Sequence, residues 1–119
     1  MDLPLVLVVE DEFLVRMNAV SLLEEAGFAV LEAGSADEAI ALLEGGRDIG
    51  IVFTDINMPG SMDGLRLAHA IRNRWPPIEL VLTSGLVRVR DDDLPARGRF
   101  LSKPYHPNKL VEVVTSLAK

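Results

Sequence analysis

The feature that most constrains this chain is a regular alternation of short apolar runs with segments whose apolar residues recur at helical spacing. Leu5-Val6-Leu7-Val8-Val9 is apolar at every position, the pattern of a strand covered on both faces, as in a parallel sheet. Val15, Ala19, Leu22, Leu23 and Ala26 follow at helical spacing, and Gly27 ends that helix. Phe28 to Leu31 reads as a second strand. Ser35, with Glu38 three residues on, gives a capping-box pattern, Ala36, Ala39, Ile40 and Leu43 make the buried stripe, and Gly45-Gly46 stop the helix. Ile49 to Thr54 reads as a third strand ending at Asp55. A helix from about Asp63 to Trp75 buries Leu67, Ala68, Ile71 and Trp75, and Pro76-Pro77 terminates it. Ile78 to Leu82 is a fourth strand and Phe100-Leu101 a short fifth. Leu110, Val113, Val114 and Leu117 place a closing helix on the core.

This pattern predicts an α/β fold of the (βα)5 type: a parallel sheet, right-handed crossovers and helices on both faces. Residues 86–98 interrupt it. Asp91-Asp92-Asp93, Pro95 and Gly98 are poor helix-interior residues, so a short or irregular fourth helix is expected there. A length of 119 residues suits a single domain, 1–119, without disulfide or metal staples.

Charge and composition exclude several functions. Twelve Lys and Arg against eighteen Asp and Glu give a formal charge of −6, which opposes direct binding to nucleic acid or to an anionic membrane. The absence of cysteine removes thiolate nucleophiles and cysteine metal sites. Leu5–Val9 is too short to span a membrane and lacks a basic flank, so a cytoplasmic location is expected.

In an open α/β sheet, ligands bind beyond the carboxyl ends of the strands. Glu10, Asp11 and Glu12 follow the first apolar run, Asp55 ends the third, Thr83 and Ser84 follow the fourth, and Lys103 follows the fifth. Carboxylates gathered at one rim repel one another unless a cation sits between them. With no cysteine and no suitably spaced histidine pair, a hard oxygen-binding cation, Mg²⁺, fits best.

These residues resemble the receiver domain of two-component response regulators, the family that includes the chemotaxis regulator CheY. The matching segments are Glu10-Asp11, then Val52-Phe53-Thr54-Asp55-Ile56-Asn57-Met58-Pro59 with Met62-Asp63-Gly64, then Leu82-Thr83-Ser84-Gly85, and Phe100-Leu101-Ser102-Lys103-Pro104. The resemblance covers residues 5 to about 118. The resemblance implies a flavodoxin-like, doubly wound sheet of five parallel strands in the order 2-1-3-4-5. It implies that Asp55 is the phosphoacceptor and that Asp11, Asp55 and the backbone carbonyl of Asn57 hold Mg²⁺, with Glu10 acting through water or as a second carboxylate. Thr83 would hydrogen-bond the phosphoryl group, Lys103 would pair with it, and Thr83 and Phe100 would carry the switch. A cis Lys103–Pro104 peptide would aim the lysine.

The implied partners are a histidine kinase or phosphotransfer protein upstream and an unknown protein downstream. The implied role is that of a phosphoacceptor rather than of an enzyme with an external substrate, with self-phosphorylation from a donor and dephosphorylation in cis. With 119 residues and no room for an output domain, the expectation is a stand-alone regulator or a receiver excised from a longer protein. Two departures stand out: the loop 59–63 is one residue longer than the family pattern, and the irregular 86–98 puts the usual output face in question. Arg66, Arg72 and Arg74 read as a solvated helix face, and His69 and His106 as surface residues rather than phosphodonors. Two other readings stay open. One is an interaction module with a vestigial site. The other is a Mg²⁺-dependent phosphohydrolase with an aspartyl intermediate, for which Asn57 stands where a second acid is needed.

Overall fold

The structure, a computed structural model, describes residues 3–60, 62–85 and 89–119. In chain order the elements are β1 (Leu5–Val9), α1 (Phe13–Glu25), β2 (Val30–Ala33), α2 (Ala36–Glu44), β3 (Ile49–Asp55), α3 (Gly64–Arg74), β4 (Glu79–Ser84), a 3₁₀ turn (Asp91–Asp93), β5 (Gly98–Ser102) and α4 (Pro107–Leu117). The strands form one parallel sheet in the order β2-β1-β3-β4-β5, the order that the family resemblance implies.

Because successive side chains point to opposite faces, each central strand feeds two cores. Leu7, Val9, Val52, Leu80 and Leu82 face one side, where Ala39 and Leu43 of α2 and Leu67, Ala68 and Ile71 of α3 cover them. Val6, Val8, Ile51, Phe53 and Val81 face the other, covered by Ala19 and Leu23 of α1 and Leu110 and Val114 of α4. The strands that read as continuously apolar are the ones buried on both faces.

The structure differs from the sequence reading at several points: β4 runs over Glu79–Ser84 and β5 over Gly98–Ser102, each reaching beyond the apolar run that marked it. Phe28 and Ala29 are not strand: Gly27 adopts a left-handed backbone (φ 101°), and the Phe28 N–H donates to the Leu23 carbonyl, finishing α1. Phe28 is buried as a helix-end plug, and β2 starts only at Val30. At α2, the Ser35 hydroxyl accepts from the Glu38 N–H (3.1 Å) as predicted, but the Glu38 carboxylate accepts from the Gly34 N–H (2.7 Å) instead of closing the box on Ser35.

The β4–β5 connection lacks a regular helix among its described residues. Leu86–Arg88 and Ser61, parts of the two segments that depart from the family pattern, lie outside those residues. The remainder is one 3₁₀ turn lashed to α3: His69 Nε2 lies 2.8 Å from the Asp93 carbonyl, and Arg72 Nε donates to the Ala96 carbonyl at 2.8 Å. Arg72 also donates to the carbonyls of Pro76 and Ile78, so it is a half-buried clamp and not the solvated residue expected from its charge.

Candidate functional site

The parallel register delivers the polar residues to one rim. Val9 pairs with Thr54, so Glu10 emerges beside Asp55. Asp55 itself pairs with Thr83, and Ser84 pairs with Ser102, which sets Lys103 at the next position. Glu10, Asp11, Glu12, Asp55, Asn57, Gly85 and Lys103 line a cleft of about 340 Å³. One carboxylate oxygen from each of Glu10, Asp11 and Asp55 lies within 4.8 Å of the others.

Burial makes this cluster costly. Glu10 is 5% exposed and Asp55 6%, whereas Asp11 is open to solvent. Lys103 Nζ contacts Glu10 Oε1 at 3.0 Å and Asp55 Oδ1 at 3.5 Å. The longer of these is an ion pair without a hydrogen bond, and Asp55 Oδ1 is buried with no hydrogen-bond partner. Three gathered carboxylates against the one ammonium of Lys103 leave negative charge that a further cation would offset. Burial pushes the Glu10 carboxyl above its usual value, outweighing the downward pull of Lys103 and of the Glu12 N–H. Burial pulls the Lys103 ammonium down, but its contacts with Glu10 and Asp55 together hold it above the ordinary lysine value.

Other predicted residues stand elsewhere. The Thr83 hydroxyl, buried, donates to the Leu101 carbonyl, so it is engaged with β5. Phe100 is half-buried against the core under α2 and α3, away from the cleft lining. The Lys103–Pro104 peptide is cis. His106 caps α4, its Nδ1 accepting from the Asn108 N–H at 3.1 Å.

Three structural supports have roles that the sequence reading did not assign. Arg16 donates from Nη1 to the Glu10 carbonyl (2.8 Å) and from Nε to Glu32 (2.9 Å), pinning the turn that carries the acidic pair. Its position in the first turn of α1, just after that pair, was the available signal. Gly64 packs so tightly that a Cβ there would sit 1.9 Å from the Asp55 carbonyl oxygen. The third is a hydrogen bond from the Ser84 hydroxyl to Asn57 Oδ1.

The response regulator receiver domain model matches residues 6–115. The chain belongs to the response regulator receiver domain family. Its relatives include the sensor kinase CckA of Brucella abortus, 36% identical and matched over 94% of this chain but 12% of that protein. They also include the response regulator receiver protein CpdR of the same organism, 30% identical over 94% of both chains. Among solved structures, a response regulator receiver protein from Sinorhizobium medicae superposes with a TM-score of 0.91 at 28% identity, over 98% of this chain and 95% of that one. This receiver domain therefore spans nearly all of one relative and a small part of another. Its role is that of a phosphoacceptor in two-component signalling. Among the described residues, no helix of the receiver domain is long and apolar enough to cross a membrane.

Proposed function

We propose that the receiver accepts a phosphoryl group on Asp55 in a Mg²⁺-dependent reaction and passes the signal on by a change in protein contacts. The observation that carries this reading is the buried Asp55 Oδ1, which accepts no hydrogen bond and is set among Glu10 and Asp11 with the Lys103 ammonium 3.5 Å away. Three carboxylates and a cleft-lining Asn57 are the oxygen-rich set that a hard divalent cation takes, so Asp11, Asp55 and the Asn57 carbonyl would hold Mg²⁺, with Glu10 beside it or bonded through water. When bound, the ion supplies charge neutralisation to the equatorial oxygens of the transferring phosphoryl group.

The chain's own residues do the rest. The Asp55 carboxylate is the nucleophile, forming an O–P bond as the donor's bond to phosphorus breaks. Lys103 leaves Glu10 to meet the new negative charge. Thr83 trades the Leu101 carbonyl for a phosphoryl oxygen, which loosens its tie to β5 beside Phe100. Phe13 and Leu14, 58% and 74% exposed at the start of α1 beside the cleft, offer an apolar landing surface for a histidine kinase or phosphotransfer protein. Residues 1–119 act as one receiver unit in the cytoplasm, without an external substrate.

Incubation with a small acyl phosphate and Mg²⁺ should add one phosphoryl group, read by intact mass, and Asp55→Asn should take none. Undiminished labelling of Asp55→Asn would remove Asp55 from this role.

A further inference from the structure

Asn57 is the next side chain beyond Asp55 to line the cleft, and what it presents there depends on a residue outside the cleft lining. The Ser84 hydroxyl, on a residue 2% exposed, donates to Asn57 Oδ1 at 2.5 Å. The main chain of this loop is fixed separately: the Ile56 N–H donates to the Thr83 carbonyl (2.9 Å), and the Ile56 carbonyl accepts from the Gly64 N–H (3.0 Å). Ser84 therefore governs the orientation of the Asn57 amide and leaves the backbone where it is.

We propose that Ser84 is a positioning residue that lengthens the life of the phosphoryl group on Asp55 by turning Asn57 so that it offers N–H, and not oxygen, to the cleft. The proposal rests on the reading of Asp55 as the phosphoacceptor. Hydrolysis of an aspartyl phosphate forms a bond from a water oxygen to phosphorus as the P–O bond to the Asp55 carboxylate breaks. The water's proton passes to the departing phosphate or to solvent. A neighbouring carbonyl oxygen assists by accepting a hydrogen bond from that water. With its oxygen turned to Ser84, which is not among the residues lining the cleft, Asn57 presents its NH₂ group to the cleft, and that group donates to the phosphoryl oxygens and orients no water.

The test is the rate at which label leaves Asp55 after the acyl phosphate donor is removed, measured on the full chain with saturating Mg²⁺. Ser84→Ala only removes an atom. Loss of the hydrogen bond to Asn57 should shorten the lifetime about threefold to tenfold, with Mg²⁺ affinity unchanged. In an Asn57→Ala background the same substitution should have no further effect, because the group Ser84 orients is gone. Equal lifetimes in wild type and Ser84→Ala would overturn the proposal, as would the same acceleration in the Asn57→Ala background. A wild-type chain that takes no label on Asp55 would defeat the phosphoacceptor reading itself, a result readily told apart from equal lifetimes.

Discussion

On the acidic side of the cleft, Glu10, Asp11 and Asp55 already converge, within 4.8 Å of one another, held by a turn that Arg16 braces and a loop that Gly64 lets close. On the cationic side, the groups that would meet a phosphoryl on the proposed reading make their hydrogen bonds to other partners: Lys103 to Glu10, with Asp55 3.5 Å away, and Thr83 to the Leu101 carbonyl. One half is assembled in advance and the other is held in reserve. On the proposed reading, binding energy spent moving Lys103 and Thr83 would couple a reaction at Asp55 to β5, because those residues would leave contacts on or next to that strand.

The largest way to break this contrast is through the preassembled half. Gly64→Ala puts a methyl group on the Asp55 carbonyl, so the loop or α3 must shift. We expect a stability loss of about 2–4 kcal/mol by urea denaturation, together with loss of Asp55 labelling. Wild-type stability in this variant would mean that the loop is not held by that contact.

A smaller effect is expected on the reserved half. In the metal-free protein, Lys103 offsets the charge of Glu10 and Asp55. Lys103→Met should therefore tighten Mg²⁺ binding by roughly 1 kcal/mol, about fivefold by calorimetry, while slowing labelling. Weaker Mg²⁺ binding would place Lys103 among the supports of the acidic half.

The smallest effect is one of pH. Burial raises the Glu10 carboxyl above its ordinary value, so the folded, metal-free protein holds that proton more tightly than the unfolded chain does. Glu10's contribution to stability is then full below the ordinary glutamate range and is lost as pH rises through the elevated folded value. The urea midpoint of wild type minus that of Glu10→Gln, without Mg²⁺, should fall across that window. A difference that rises with pH would contradict the sign.

Much of this was legible in the residues because a strand buried on both faces has no choice but to be apolar. Leu5–Val9 announced β1 outright, and the polar residues that end such runs are the ones that reach the rim. Edge strands are harder to read. Arg99 and Ser102 are exposed on β5, so only Phe100-Leu101 stood out of a five-residue strand. Phe28 misled for a different reason: apolarity records burial, and a helix-end plug is as buried as a strand. The supports of the site were least legible. Arg16, Gly64 and Ser84 act through distances set by the fold, and Arg72 looked like a surface charge until the carbonyls of Pro76, Ile78 and Ala96 were seen around it.

The most direct test is a high-resolution structure of the chain with Mg²⁺ and beryllofluoride, a mimic of the phosphoryl group. The account predicts that the Glu10, Asp11 and Asp55 oxygens stay clustered, that Lys103 leaves Glu10, and that the Thr83 hydroxyl leaves the Leu101 carbonyl, both turning to the mimic on Asp55. A mimic bound with Lys103 still on Glu10 and Thr83 still on Leu101 would contradict it.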